Sequence, residues 1–204
     1  MTELLSGRDL SLLRGERLLF RDLNFALGPG ELMLVQGPNG SGKTSLLRAI
    51  AGLTSLETGT ISWNGVSTER DRQTFGADIV WMAHRVGFKG DLTLLENLRF
   101  ECGLRSASFE AIDGVLERLG LSRLTGLPIR SLSAGQQRRV ALARTLTSDA
   151  RLWLMDEPFT NLDADGKALV IDLVSEHLGR DGACVMAAHQ DVHIDRPVLR
   201  IQLQ

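Results

Sequence analysis

Three short stretches and one histidine hold residue types whose spacing suits the handling of phosphate. The first stretch, Gly37-Pro38-Asn39-Gly40-Ser41-Gly42-Lys43-Thr44, fits the pattern G-x-x-x-x-G-K-[ST] and is followed by Ser45. Glycines at 37, 40 and 42 let the backbone turn N–H groups inward around phosphate oxygens, which residues with a Cβ resist. Lys43 is placed to reach β- and γ-phosphates, and the Thr44 hydroxyl to ligate Mg2+. The second stretch is apolar, Leu152-Trp153-Leu154-Met155, and delivers two carboxylates, Asp156 and Glu157. Asp156 suits a metal, directly or through water, and Glu157 suits a general base that polarises an attacking water. The third, Ser133-Ala134-Gly135-Gln136, opens a helical stretch whose first backbone donors could meet an anion. His189 follows a strand-like run. Taken singly, the carboxylate pair also reads as a solvated turn, Ser133 as a helix cap and His189 as a strand-end cap. The phosphate loop upstream is what turns them into a set.

These residues need a scaffold. Residues 31–36 read as a buried strand, 37–42 break it, and 43–52 have helical spacing, the context the phosphate loop requires. Residues 3–36 alternate short apolar stretches with Gly, Pro and Asp turns. Helical periodicity runs over 92–144, as in Leu94-Leu95-Leu98 and Ile112-Val115-Leu116-Leu119, so a helical insertion is expected over about 85–148. Strands are expected at 151–155, 183–188 and 198–203, with a helix over 163–178. An α/β fold follows, its sheet interrupted by a helical block and its carboxylates at a strand's C-terminal tip, where ligands of open α/β sheets sit.

Bulk composition limits the partners. The 204 residues suit one domain, 1–204, and a formal charge of −2 advertises neither nucleic acid nor an acidic membrane surface. Two cysteines, Cys102 and Cys184, fit neither a metal site nor a disulfide framework, which points to a reducing compartment. The N-terminal stretch has no signal-like or membrane-spanning apolar run, so a cytoplasmic chain held at any membrane by other proteins is expected.

In this order, GPNGSGKT, LSAGQ, WLMDEP and the later AAHQ closely resemble the nucleotide-binding domains of ABC ATPases over nearly the whole chain. The resemblance implies a P-loop NTPase of ABC type: a mixed sheet core, an antiparallel β subdomain and a helical signature subdomain. It implies ATP and Mg2+, with Gly37, Pro38, Asn39, Gly40, Ser41, Gly42, Lys43, Thr44 and Ser45 around the nucleotide. It also implies a head-to-tail homodimer, in which Ser133, Gly135 and Gln136 of one subunit complete the site of the other. Asn161-Leu162-Asp163 would then cross between subunits, and His189 would bond the γ-phosphate and the catalytic water.

Two departures narrow the resemblance. The family's metal-sensing Gln, nine residues before the Thr of Thr93-Leu94-Leu95-Glu96-Asn97, is His84 here. His84 either takes over that metal role or is a surface-loop histidine. The aromatic that stacks on adenine is replaced by Arg14, which either stacks through its guanidinium or is a solvated turn residue. With Trp81-Met82-Ala83-His84 and the run 132–144, these features resemble the CcmA family. That likeness implies integral membrane partners, a peripheral place on the cytoplasmic face of the bacterial inner membrane, motion passed through 84–97, and hydrolysis that drives release of a haem-loaded chaperone. Haem would be involved only indirectly, since the chain has no C-x-x-C-H. A motor for another cargo and a soluble ABC protein acting on DNA or ribosomes are the rival readings. A metabolic kinase would leave LSAGQ and His189 without a purpose.

Overall fold

The structure, a computed structural model, describes residues 3–85, 87–105 and 112–204. Val86 and residues 106–111, inside the expected helical block, lie outside the described residues.

Strands β1 (Leu5–Arg14) and β2 (Arg17–Leu27) form a long antiparallel hairpin. Gly15, at φ +62, closes it with Glu16, as a two-residue turn requires of its first residue. Sequence reading divides this region into short pieces, whereas the structure has strands of 10 and 11 residues. The physical reason is bulging. Asp9 and Asp22 adopt left-handed backbone at φ +52 and +50, and register shifts lie between Gly7 and Leu13. Asn24 accepts from Asp9 N at 2.9 Å across the hairpin, so residues that read as turn signals bend the strands without ending them. β4 (Thr58–Trp63) and β5 (Val66–Ser67) complete a sheet of order β2-β1-β4-β5.

The second sheet is parallel throughout, with β3 (Leu32–Gln36), β6 (Ile79–Met82), β7 (Leu152–Asp156), β8 (Ala183–Ala187) and β9 (Val198–Gln202) in the order β6-β7-β8-β3-β9. The expected mixture of strand directions is therefore present as two sheets of opposite character. β7 and β8 are buried at all five positions, which explains their unbroken apolar sequences. Alternate residues feed opposite faces. Met33, Val35, Leu152 and Leu154 pack with α1 (Lys43–Ile50) and the antiparallel sheet. Leu32, Leu34, Trp153 and Met155 pack with α3 (Leu94–Arg105), α4 (Ile112–Arg118), α5 (Ala134–Leu146) and α6 (Ala164–Leu178). At about 1.5–3 kcal/mol per fully buried aliphatic side chain, burial from both faces makes these site-bearing strands the rigid part of the molecule.

The stretch 58–82 also contains α2 (Arg72–Asp78), which runs straight into β6 without a Gly or Pro between them, leaving no sequence mark of the boundary. Among the described residues no helix is long and apolar enough to cross a membrane.

Candidate functional site

β3 hands the chain to the phosphate loop at Gly37, where the backbone takes φ +149. A Cβ there would lie 2.5 Å from the Leu203 carbonyl oxygen and 2.6 Å from Ser41 Oγ, so only glycine fits. Gly40 and Gly42 follow at φ +82 and +104. Gly42 gives α1 no side-chain cap, which leaves the helix's first N–H groups facing the loop. Lys43, 6% exposed, bends back over the loop and donates to the carbonyls of Gly37 (2.8 Å) and Pro38 (3.0 Å). Inside the same loop the Ser41 hydroxyl is buried without a partner among the described residues. A buried donor of this kind needs an acceptor, and a phosphate oxygen would supply one.

The ends of β7 and β8 bring the carboxylates to this loop. The Thr44 hydroxyl donates to the Asp156 carboxylate, lying 2.9 and 3.1 Å from its two oxygens. Asp156 is 1% exposed, and burial pushes its carboxyl above the usual range, opposed by the Thr44 bond. A hydroxyl and a carboxylate held together are hard oxygen donors that suit Mg2+. Among the described residues no group of three or more His, Cys, Asp or Glu is poised around a metal, so Mg2+ here would draw its remaining ligands from phosphate and water.

Glu157 sits in left-handed backbone at φ +51, which is strained for a residue with a Cβ, and is pinned by its N–H to the Ala187 carbonyl at 2.9 Å. Its carboxylate has a histidine at each oxygen. His189 Nε2 is 2.8 Å from Oε1, and His84 Nδ1 is 3.5 Å from Oε2.

Sequence reasoning missed Arg138. This residue reaches from α5 under the site, 3% exposed, and donates to the carbonyls of Asp156 (2.8 Å), Glu157, Pro158 (3.2 Å) and Ala83 (2.9 Å), with His84 O at 3.5 Å. Burial lowers its pKa to about 10, with the charges of Asp156 and Glu157 working against the shift, so it stays cationic at neutral pH. Its helical spacing from the buried Ala141 and Leu142 was the available signal that it points inward.

The signature residues lie elsewhere. Ser133 Oγ accepts from Gln136 N at 3.2 Å and Gln136 Oε1 accepts from Ser133 N at 2.8 Å, a capping box that fixes the start of α5. A Cβ on Gly135 would come 2.9 Å from the Asn161 carbonyl oxygen, which seals the contact between signature and the loop 161–163. Asp163 caps α6 by accepting from Gly166 N at 2.8 Å. Ser133, Gly135, Gln136, Asn161 and Asp163 share an open cavity of about 380 Å³ whose lining includes no residue of the phosphate loop.

Arg14 ends β1 on the exposed hairpin tip, directly opposite Arg17, so the two share one face. It is Arg17 whose guanidinium stands 3.8 Å from the Cβ position of Gly40, and Leu19 that packs 3.1 Å from that of Gly42. Both escape a reading that looks only for the adenine-stacking position.

The ABC transporter family matches residues 20–160. The cytochrome c biogenesis ATP-binding export protein CcmA of Vibrio vulnificus is 41% identical over 199 residues, spanning 97% of each chain. Its counterpart from Methylococcus capsulatus is 43% identical over 192 residues, 93% of each chain. Among solved structures, an ABC transporter ATP-binding protein of Pyrococcus furiosus superposes with a TM-score of 0.84 at 25% identity, over 98% of this chain and 96% of that one.

Proposed function

The chain belongs to the ABC transporter family and to its CcmA group, and we propose from this premise that it powers a membrane export complex for cytochrome c biogenesis as a head-to-tail homodimer. The chain is an ATP hydrolase. The observation that carries the paired arrangement is the separation of the two anion-binding half-sites. The signature cavity around Ser133 and Gly135 contains nothing from the phosphate loop, so one chain offers two halves that do not meet. A two-fold axis would set each signature against the partner's loop and close two equal sites.

Within each site, Lys43 would exchange the carbonyls of Gly37 and Pro38 for β- and γ-phosphate oxygens, and the Ser41 hydroxyl would gain its missing acceptor. Thr44 and Asp156 would hold Mg2+, whose charge helps neutralise the phosphates. Glu157 takes the proton as water attacks the γ-phosphorus and the bond to the β–γ bridging oxygen breaks, yielding ADP and inorganic phosphate. His189 holds Glu157 from one side at 2.8 Å. Ser133 and Gly135 of the partner copy would present backbone and hydroxyl donors to the γ-phosphate.

Integral membrane subunits would receive the motion through 84–97, on the cytoplasmic face of a bacterial inner membrane. The relatives' naming for cytochrome c biogenesis and export supports release of a haem-loaded chaperone as the work done, with haem involved only indirectly.

The test is Glu157→Gln. Steady-state turnover should fall at least about 100-fold while ATP binding, measured with a fluorescent analogue, persists. Undiminished turnover would remove Glu157 from the role of base.

A further inference from the structure

We propose that His84 is a positioning residue for the Glu157 carboxylate, working opposite His189, and that it is not a magnesium ligand. The proposal rests on Glu157 being the base. Three observations converge on it.

The two imidazoles approach different oxygens of the carboxylate, His189 at Oε1 (2.8 Å) and His84 at Oε2 (3.5 Å), where the Thr160 hydroxyl also donates at 3.5 Å. A carboxylate approached by N–H donors from both sides has its plane defined, which fixes the lone pair aimed at the water. The His84 contact is long for a hydrogen bond, the kind of catalytic contact that shortens when the substrate complex forms.

Arg138 ties the two backbones together. One buried guanidinium donates to the Asp156 and Glu157 carbonyls and to that of Ala83, with His84 O at 3.5 Å. The His84 side chain is 54% exposed, so side-chain packing does little to hold it in place. Its proximity to Glu157 is set by the arginine beneath.

The third observation is chemical. The glutamine expected at this position carries a carbonyl oxygen, which a hard cation accepts, and an amide N–H2, which donates to carboxylate or water. Histidine keeps a donor and loses the oxygen. Mg2+ takes oxygen ligands in a near-ideal octahedron and has little use for imidazole nitrogen. His84 thus retains the half of the glutamine's chemistry that faces Glu157 and gives up the half that faces the metal.

The experiment measures kcat, the KM for ATP and the Mg2+ concentration giving half-maximal rate for wild type, His84→Ala, His84→Phe and His84→Gln. Alanine and phenylalanine should each lower kcat about tenfold, with KM and the Mg2+ midpoint within about twofold of wild type. Phenylalanine keeps a ring without an N–H, which separates donation from bulk. Glutamine, whose amide N–H can donate to Oε2, should recover most of the rate. In a Glu157→Gln background, His84→Ala should change nothing further. A raised Mg2+ midpoint with kcat restored at saturating Mg2+ would make His84 a metal ligand and overturn the proposal. Unchanged kcat in alanine and phenylalanine variants would also overturn it. Absence of hydrolysis by wild type would instead strike the reading of Glu157 itself.

Discussion

β7 and β8 lie side by side with a histidine near each end, and the two imidazoles have opposite surroundings. At the C-terminal end, Glu157 stands in strained backbone beside a half-exposed His189, Asp156 is buried with its carboxyl pushed up, and Ser41 nearby has no partner among the described residues. At the N-terminal end, His177 stacks on Trp153 with ring centroids 4.0 Å apart and planes 10° from parallel, its Nε2 lying 3.2 Å from the Ala183 carbonyl. Gly182 is so close that a Cβ would come 2.4 Å from the imidazole. Burial lowers the pKa of His177, which keeps it neutral and packed. Neither end is free of strain or unpaired groups, since Asp181 before β8 takes φ +60 and the buried Trp153 Nε1 has no partner among the described residues; the difference lies in the histidines, one half-exposed against a carboxylate where substrate would bind and the other sealed against an indole. The lesson is that histidine type says little; what surrounds the ring decides between chemistry and packing.

The largest effect that would sharpen this contrast comes from the C-terminal end. Lys43→Ala should weaken ATP binding roughly 10- to 100-fold, because a charge-assisted contact to phosphate disappears, and should leave the fold intact. Isothermal titration with the Mg2+ complex measures it; wild-type affinity in the variant would break the contrast at its strongest point.

A smaller effect belongs to the other end. With its native pKa below the 6.5 of the unfolded chain, His177 lets the unfolded state take a proton first as pH falls. Stability should therefore be full above about pH 6.5 and decline below it, towards the lowered native value. His177→Phe keeps the stack on Trp153 and should flatten that decline, lower stability near pH 8 by about 1 kcal/mol through the lost hydrogen bond, and leave kcat unchanged. Urea unfolding at several pH values reads the slope, and an unchanged slope would mean that His177 is not the group responsible.

What the sequence disclosed followed the range of the interactions involved. The phosphate loop and the Asp156-Glu157 pair were readable because their geometry is made within a few residues, strand to turn to helix. The capping box of Ser133 and Gln136 was equally local, but the direction it faces depends on tertiary packing. Arg138 was hidden because its acceptors are backbone carbonyls at 83–84 and 156–158, far from it in sequence and of no particular side-chain type. The hairpin was misjudged because Asp9 and Asp22 mark bulges in a continuing strand, and the same register puts Arg17 beside Gly40. His84 could be flagged by its spacing from Thr93, yet its partner, Glu157, is supplied by another strand.

The central claim, that two chains complete each other's sites, is tested most directly by mixing halves. Lys43→Ala spoils the phosphate loop and spares the signature; Ser133→Arg crowds the exposed signature and spares the loop. Each alone should show little ATPase activity. Co-expressed in equal amounts, they should regain turnover approaching about a quarter of wild type, since half the dimers are mixed and each mixed dimer has one intact composite site. Mixed dimers that stay inactive, or a Ser133→Arg homodimer that hydrolyses ATP at the wild-type rate, would contradict the account.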